Sequence, residues 1–142
     1  TAFNAIRSAA VPMMRGDGGR IVLFSSVAAS HGMTNHAAIA AAKGAVEGLT
    51  RAAAADYAKR GIRVNAIAPA MTDTPMSESL LKSEASRKMS ASMHPVGRIG
   101  EAEEIADVAS WLVDGAPEWM TGQIIGVNGG LGAIKPQESI KA

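Results

Sequence analysis

The chain has 142 residues, the length of one domain, with 47% hydrophobic and 19% charged residues and a formal net charge of +1. That balance suits a globular α/β protein, argues against a disordered chain, and gives no reason to expect nucleic acid or an acidic membrane as a partner. The absence of cysteine excludes disulfides and thiolate metal sites, and no run approaches the roughly 18 apolar residues needed to cross a bilayer.

Residues 1–15 place Phe3, Ile6, Ala10, Met13 and Met14 at helical spacing until "GDGGR" breaks the pattern. This opening has neither an initiator Met nor the features of a secretory leader, and it begins in mid-helix. The sequence is therefore expected to be the later part of a longer, cytoplasmic protein. After Arg20, "IVLFSS" is a short apolar run of the kind buried on both faces of a parallel sheet. "VAASHGMTN" reads as a loop, with Thr34 or Asn35 capping a helix that runs to about Lys59. The glycine of "KRG" ends that helix, and "IRVNAIAP" is a second buried strand closed by Pro69.

In "TDTPM", Pro75 suits the first position of a short helix. "SESLLKSEASRKMSASM" is weakly amphipathic and serine-rich, as in a flap. Met71, Met76, Met89 and Met93 read as the lining of an apolar pocket or core. "GEAEEIADVASWLVDG" is an amphipathic helix with a stripe of Ile105, Val108, Ala109 and Leu112, and "QIIGVNGG" is a third strand. Residues 133–142 are expected to form a loose tail. The order α-β-α-β-α-β implies right-handed crossovers and a doubly wound, Rossmann-like parallel sheet over residues 1–132. Three strands cover their helices poorly, so further strands are expected from an absent segment or a partner chain.

Ligands of open α/β sheets bind beyond the carboxyl ends of the strands. This directs attention to "SSVAAS" and "APAMTDTPM". Ser26 is placed to donate to a substrate oxygen, and Lys43 to hold ribose hydroxyls in the same crevice. Each also has a plainer reading, Ser26 as the cap of a turn and Lys43 as a side chain reaching for solvent. No His/Asp/Glu group has metal-ligand spacing, so no metal is expected.

Three stretches, "GRIVLFSSVAASHG", "AAAKGAVEGLTRAAAADYAKRGIRVNAIAPAMTDTPM" and "HPVGRIGEAEEIADVASWLVDGAPEWMTGQIIGVNGG", closely resemble the later half of the short-chain dehydrogenase/reductase family, in particular members like the 3-oxoacyl-acyl carrier protein reductases. The resemblance implies hydride transfer between NAD or NADP and a small-molecule carbonyl/alcohol pair, in a homo-oligomer (dimer or tetramer) paired through the first two helices. By position, Ser26 matches the serine that holds the substrate oxygen. Lys43 matches the lysine that binds the nicotinamide ribose and lowers the pKa of a catalytic tyrosine. Pro69, Met71 and Thr72 match the segment under the nicotinamide, and Thr74 the threonine near its carboxamide and phosphate.

Three departures stand against this match. The family's tyrosine lies four residues before the lysine and thirteen after the serine, and both counts land on Ile39. Isoleucine moves no proton, and positioned acid–base catalysis typically contributes about 10²–10⁴-fold. Tyr57 lies about five helical turns further on. Ala70 replaces the glycine expected after the proline. No Gly-rich dinucleotide loop occurs, so the N-terminal, dinucleotide-binding half is expected to be absent and the choice of NAD or NADP is not written here. Two functions follow: an oxidoreductase with an atypical site, or a catalytically silent scaffold or binding subunit. His36, three residues before Ile39, is the candidate substitute proton donor; His31 ranks below it, and His94 lies too far along the flap to rank.

Overall fold

The computed structural model describes residues 1–135. Helix α1 (Ala2–Arg15) leads into strand β1 (Gly19–Phe24), and helix α2 (Ala37–Tyr57) into strand β2 (Ile62–Pro69). A two-residue strand β3 (Thr72–Asp73), helix α3 (Glu84–Met93) and a second two-residue strand β4 (Gly100–Glu101) follow. Helix α4 (Ala102–Ser110) and strand β5 (Ile124–Val127) complete the order. β1, β2 and β5 form one parallel sheet with β2 in the centre, Phe24 opposite Ile67 and Pro69 opposite Val127. β3 and β4 pair separately, also in parallel.

The sheet is covered on both faces, which is why its strands are continuously apolar. On one face, Ile62, Val64 and Ala66 of β2 join Ile21 and Leu23 of β1 against Ile6 of α1 and Ala53 and Ala54 of α2. On the other, Ile67 packs with Leu112 and Ala116, with Ile105, Val108 and Ala109 of α4 beside them. This alternation is the two-residue period of a strand. The stripe expected on the last helix is thus the one that meets the sheet, and the doubly wound, Rossmann-like class is the one observed.

Local details depart from expectation. Neither Thr34 nor Asn35 caps α2. Asn35 takes a positive φ of 62° and His36 occupies the N-cap without a side-chain cap bond. Beyond Tyr57 one tight turn runs to Arg60, and Gly61 then adopts the left-handed conformation expected of a terminating glycine (φ 72°). Its carbonyl lies so close to Gly18 that a Cβ built there would meet it at 2.4 Å. Pro75 does not open a helix, because Ser77 ties residues 72–77 into turns and α3 begins only after the reciprocal Ser83–Ser86 cap. Of the four methionines expected in a pocket or core, Met76, Met89 and Met93 are exposed and Met71 alone lines a cavity. Much of the expected loose tail, residues 136–142, lies outside the described residues.

Candidate active site

The carboxyl end of β1 is fastened to α2 by buried polar bonds. Ser25 continues the pairing by donating its backbone N–H to Ile67 O at 2.7 Å. Its hydroxyl lies 3.0 Å from Glu47 Oε1 and 3.3 Å from the Lys43 carbonyl. Glu47 is buried and also meets Arg51, one turn along, at 3.3 Å. A buried carboxylate needs such partners. Composition and spacing gave no sign of this cluster, because it exists only once α2 lies across the strand end.

Ser26 follows in an extended conformation, and its Oγ accepts from Ala28 N at 3.2 Å. The turn-capping role expected as the plain reading is therefore present. It uses an acceptor lone pair and leaves the hydroxyl proton for a ligand. Lys43 Nζ donates to Phe24 O at 2.8 Å, which draws its ammonium to the end of β1, two residues before Ser26. Ile39, one turn earlier on α2, is 44% exposed and so does not serve as a plug in the core. His36 is half-buried, with Nδ1 2.6 Å from Thr34 O. A carbonyl only accepts, so Nδ1 carries a proton there, and Nε2 makes no hydrogen bond to the described residues. Tyr57 packs against the core at the far end of α2.

The loop after β2 brings the remaining candidates beside this crevice, on the neighbouring strand. Pro69 pairs with Val127, Thr72 Oγ1 donates to Ala70 O at 3.2 Å, and Thr74 N donates to Ser77 Oγ at 3.0 Å. Met71 and Thr72 line a cavity of about 130 Å³ between the ends of β2 and β5, together with His94, Arg98, Glu104 and Asn128. Arg98 grips Glu104 with two bonds, of 2.8 and 2.6 Å. That guanidinium, together with the Glu101 backbone N–H, lowers the Glu104 carboxyl to about 2. His94, passed over in the sequence, is buried here. No group of three or more potential metal ligands occurs among the described residues, and no helix there is long and apolar enough to cross a membrane.

A parallel sheet wound on both faces, with a serine and a lysine at the end of one strand and a proline-led loop at the end of the next, belongs to the doubly wound α/β folds, whose ligands bind beyond the carboxyl ends of the strands. The chain belongs to the short-chain dehydrogenase/reductase family: the family model described as enoyl-(acyl carrier protein) reductase matches residues 1–132. It is 44% identical over 121 residues to the 2,5-dichloro-2,5-cyclohexadiene-1,4-diol dehydrogenase of Sphingobium indicum, a match covering 84% of this chain and 48% of that protein. It is also 40% identical over 136 residues to the inactive 2-(S)-hydroxypropyl-CoM dehydrogenase 2 of Xanthobacter autotrophicus, covering 93% and 59%. Among solved structures, the gluconate 5-dehydrogenase of Burkholderia cenocepacia in complex with NADP and tartrate superposes with a TM-score of 0.87 at 32% identity, over 94% of this chain and 52% of that one. The chain thus spans about half the length of the relatives it matches.

Proposed function

We propose that the protein is an NAD(P)-dependent oxidoreductase acting on a small carbonyl/alcohol pair, with an atypical site in which Ile39 stands where a proton donor is needed. One observation carries this reading. Ile39 is half exposed one helical turn before Lys43, whose ammonium is held 2.8 Å from the Phe24 carbonyl beside Ser26. Ser26 donates a hydrogen bond from its free hydroxyl to the substrate oxygen and so polarises the carbonyl. Lys43 binds ribose hydroxyls and adds positive potential where negative charge develops on that oxygen. Pro69, Met71, Thr72 and Thr74 bound the nicotinamide side. The cofactor supplies the hydride when bound, and the protein's share is orientation and electrostatics.

The residues present fit the nicotinamide end of such a cofactor: a cation, a hydroxyl donor and a proline-led loop converge on adjacent strand ends. No Gly-rich turn opening a helix is present to receive the pyrophosphate. The 142-residue chain by itself is therefore expected not to bind NADH or NADPH at micromolar concentration, which calorimetry checks directly. Small-molecule substrate binding and pairing through α1 and α2 belong to the same proposal. Light scattering that reports a monomer at micromolar concentration counts against the pairing.

The second reading is a catalytically silent scaffold or binding subunit. Ile39 favours it, and so does the similarity to a relative described as inactive. Reduction of a panel of small ketones by the full-length wild type, Ile39→Tyr and His36→Ala separates the possibilities. Weak wild-type turnover that rises in Ile39→Tyr supports the impaired oxidoreductase. Wild-type activity that falls in His36→Ala while the variant keeps its fold assigns the proton to His36. No turnover by any of the three, with cofactor absent from the protein, supports the silent reading.

A further inference from the structure

Glu47 is an acidic residue on the buried face of α2, 8% exposed, ahead of the buried Thr50, Ala53 and Ala54. An apolar side chain would pack there without the cost of burying a carboxylate. The contacts of Glu47 lead to the candidate site. Its Oε1 accepts from the Ser25 hydroxyl at 3.0 Å, and its Oε2 meets the exposed Arg51 at 3.3 Å. Ser25 is itself buried, and its N–H on Ile67 O at 2.7 Å pins it to β2.

The end of β1 holds Lys43 at two points. Phe24 O accepts from the ammonium at 2.8 Å, and the Ser25 hydroxyl lies 3.3 Å from the Lys43 carbonyl. Ser25 thus has one hydroxyl proton and two acceptors facing it. A carbonyl inside a helix already receives the N–H four residues on, whereas a buried carboxylate needs donors. The proton therefore goes to Glu47, the nearer and charged acceptor. That bond fixes the rotation and height of α2 against the strand end, one turn from Lys43 and one residue from Ser26.

We propose that Glu47 is a positioning residue: acting through Ser25, it sets where α2 delivers the Lys43 ammonium relative to Ser26. The consequence for cofactor binding rests on the oxidoreductase reading above, whereas the placement of Lys43 does not.

Three variants of the full-length protein, Ser25→Ala, Glu47→Leu and the two combined, separate placement from packing. Removing one partner of a buried hydrogen bond leaves the other unsatisfied, while replacing both by apolar groups is close to neutral. The double variant is therefore expected to regain the unfolding midpoint that Ser25→Ala loses. Placement is not expected to return with it. The Lys43 ¹³Cε and ¹⁵Nζ signals, assigned by their loss in Lys43→Arg, should shift in both single variants. They should stay shifted in the double variant, with no change beyond that of either single one. The dissociation constant for NADH or NADPH, read from nicotinamide fluorescence, should weaken by about tenfold in the same three variants, the worth of one charge-assisted hydrogen bond. Glu47→Gln keeps an acceptor oxygen for Ser25 and should hold both readings near wild type. Lys43 signals that do not move in Glu47→Leu, or that recover together with the midpoint in the double variant, overturn the proposal and leave Glu47 a packing residue. If the wild type binds neither NADH nor NADPH, the oxidoreductase reading fails, and the Lys43 signals alone decide the placement.

Discussion

The β1–α2–β2 region and the segment from residue 70 to residue 98 are held by different forces. In the first, Ile62, Val64, Ala66 and Ile67 are fully buried, and the polar groups at the strand ends are buried and paired, as in Ser25 with Glu47. In the second, Leu81 and His94 are buried but Met76, Leu80, Met89, Met93 and Val96 are exposed, and the ion pair that ties α3 to β3, Arg87–Asp73, is half exposed. The side chains assigned to the reaction, Ser26 and Lys43, stand on the well-packed region. The exposed apolar side chains stand on the other. Positioning within a fraction of an ångström requires a rigid support, whereas a surface that accommodates ligands is drawn from elements of low local stability.

The largest expected effect tests the packed side. Ile67→Ala removes a wholly buried side chain from the contact with Leu112 and Ala116, and a loss of about 2–5 kcal/mol in urea unfolding is expected. A loss below about 1 kcal/mol would erase the contrast between the regions. Next, Ser25→Ala strips the buried Glu47 carboxylate of one donor. About 1–3 kcal/mol should be lost, and the Lys43 side chain should lose order in NMR relaxation. On the outer side, Arg87→Met breaks an ion pair whose guanidinium is held more strongly protonated by Asp73. Because both partners are substantially exposed, only a small loss of stability is expected, with faster amide exchange confined to α3.

The smallest effect is a change in pH dependence. Glu104 is lowered from 4.5 to about 2 by Arg98 and the Glu101 backbone, so its contribution is present above pH 4.5 and is lost as pH falls toward 2. Arg98→Met should return the carboxyl toward its ordinary value and flatten the stability profile across that window. An unchanged profile would mean that the pair stabilises nothing in solution.

The two regions also differed in how much of them could be read in advance. β1, β2 and β5 were legible because strands covered on both faces are apolar along their length, and α4 because its stripe has helical period. Gly61 was legible because a helix ending at a positive φ favours glycine. Ser26 and Lys43 were singled out by their place beyond the strand end and matched to roles by the resemblance, and their side chains lie at the same strand end. The pairing of Ser25 with Glu47 depends on residues 22 apart meeting across a crossover, which no local pattern encodes. His94 was passed over because its burial arises only at the junction of three loops. Pro75 misled because the Ser77 hydroxyl satisfies backbone groups that a helix would otherwise have used.

The central claim is that Ile39 leaves the crevice without its proton donor while the rest of the nicotinamide side stays in place. Its most direct test is kcat/KM for one small ketone at saturating NADH or NADPH, compared between the full-length wild type and Ile39→Tyr. A phenol at position 39 would stand one turn from the Lys43 ammonium, which favours the phenolate and brings its pKa toward the working pH. A gain of about 10²–10⁴-fold is expected for Ile39→Tyr, from the contribution of a positioned acid–base group. Rapid wild-type reduction that neither Ile39→Tyr nor His36→Ala alters would contradict it.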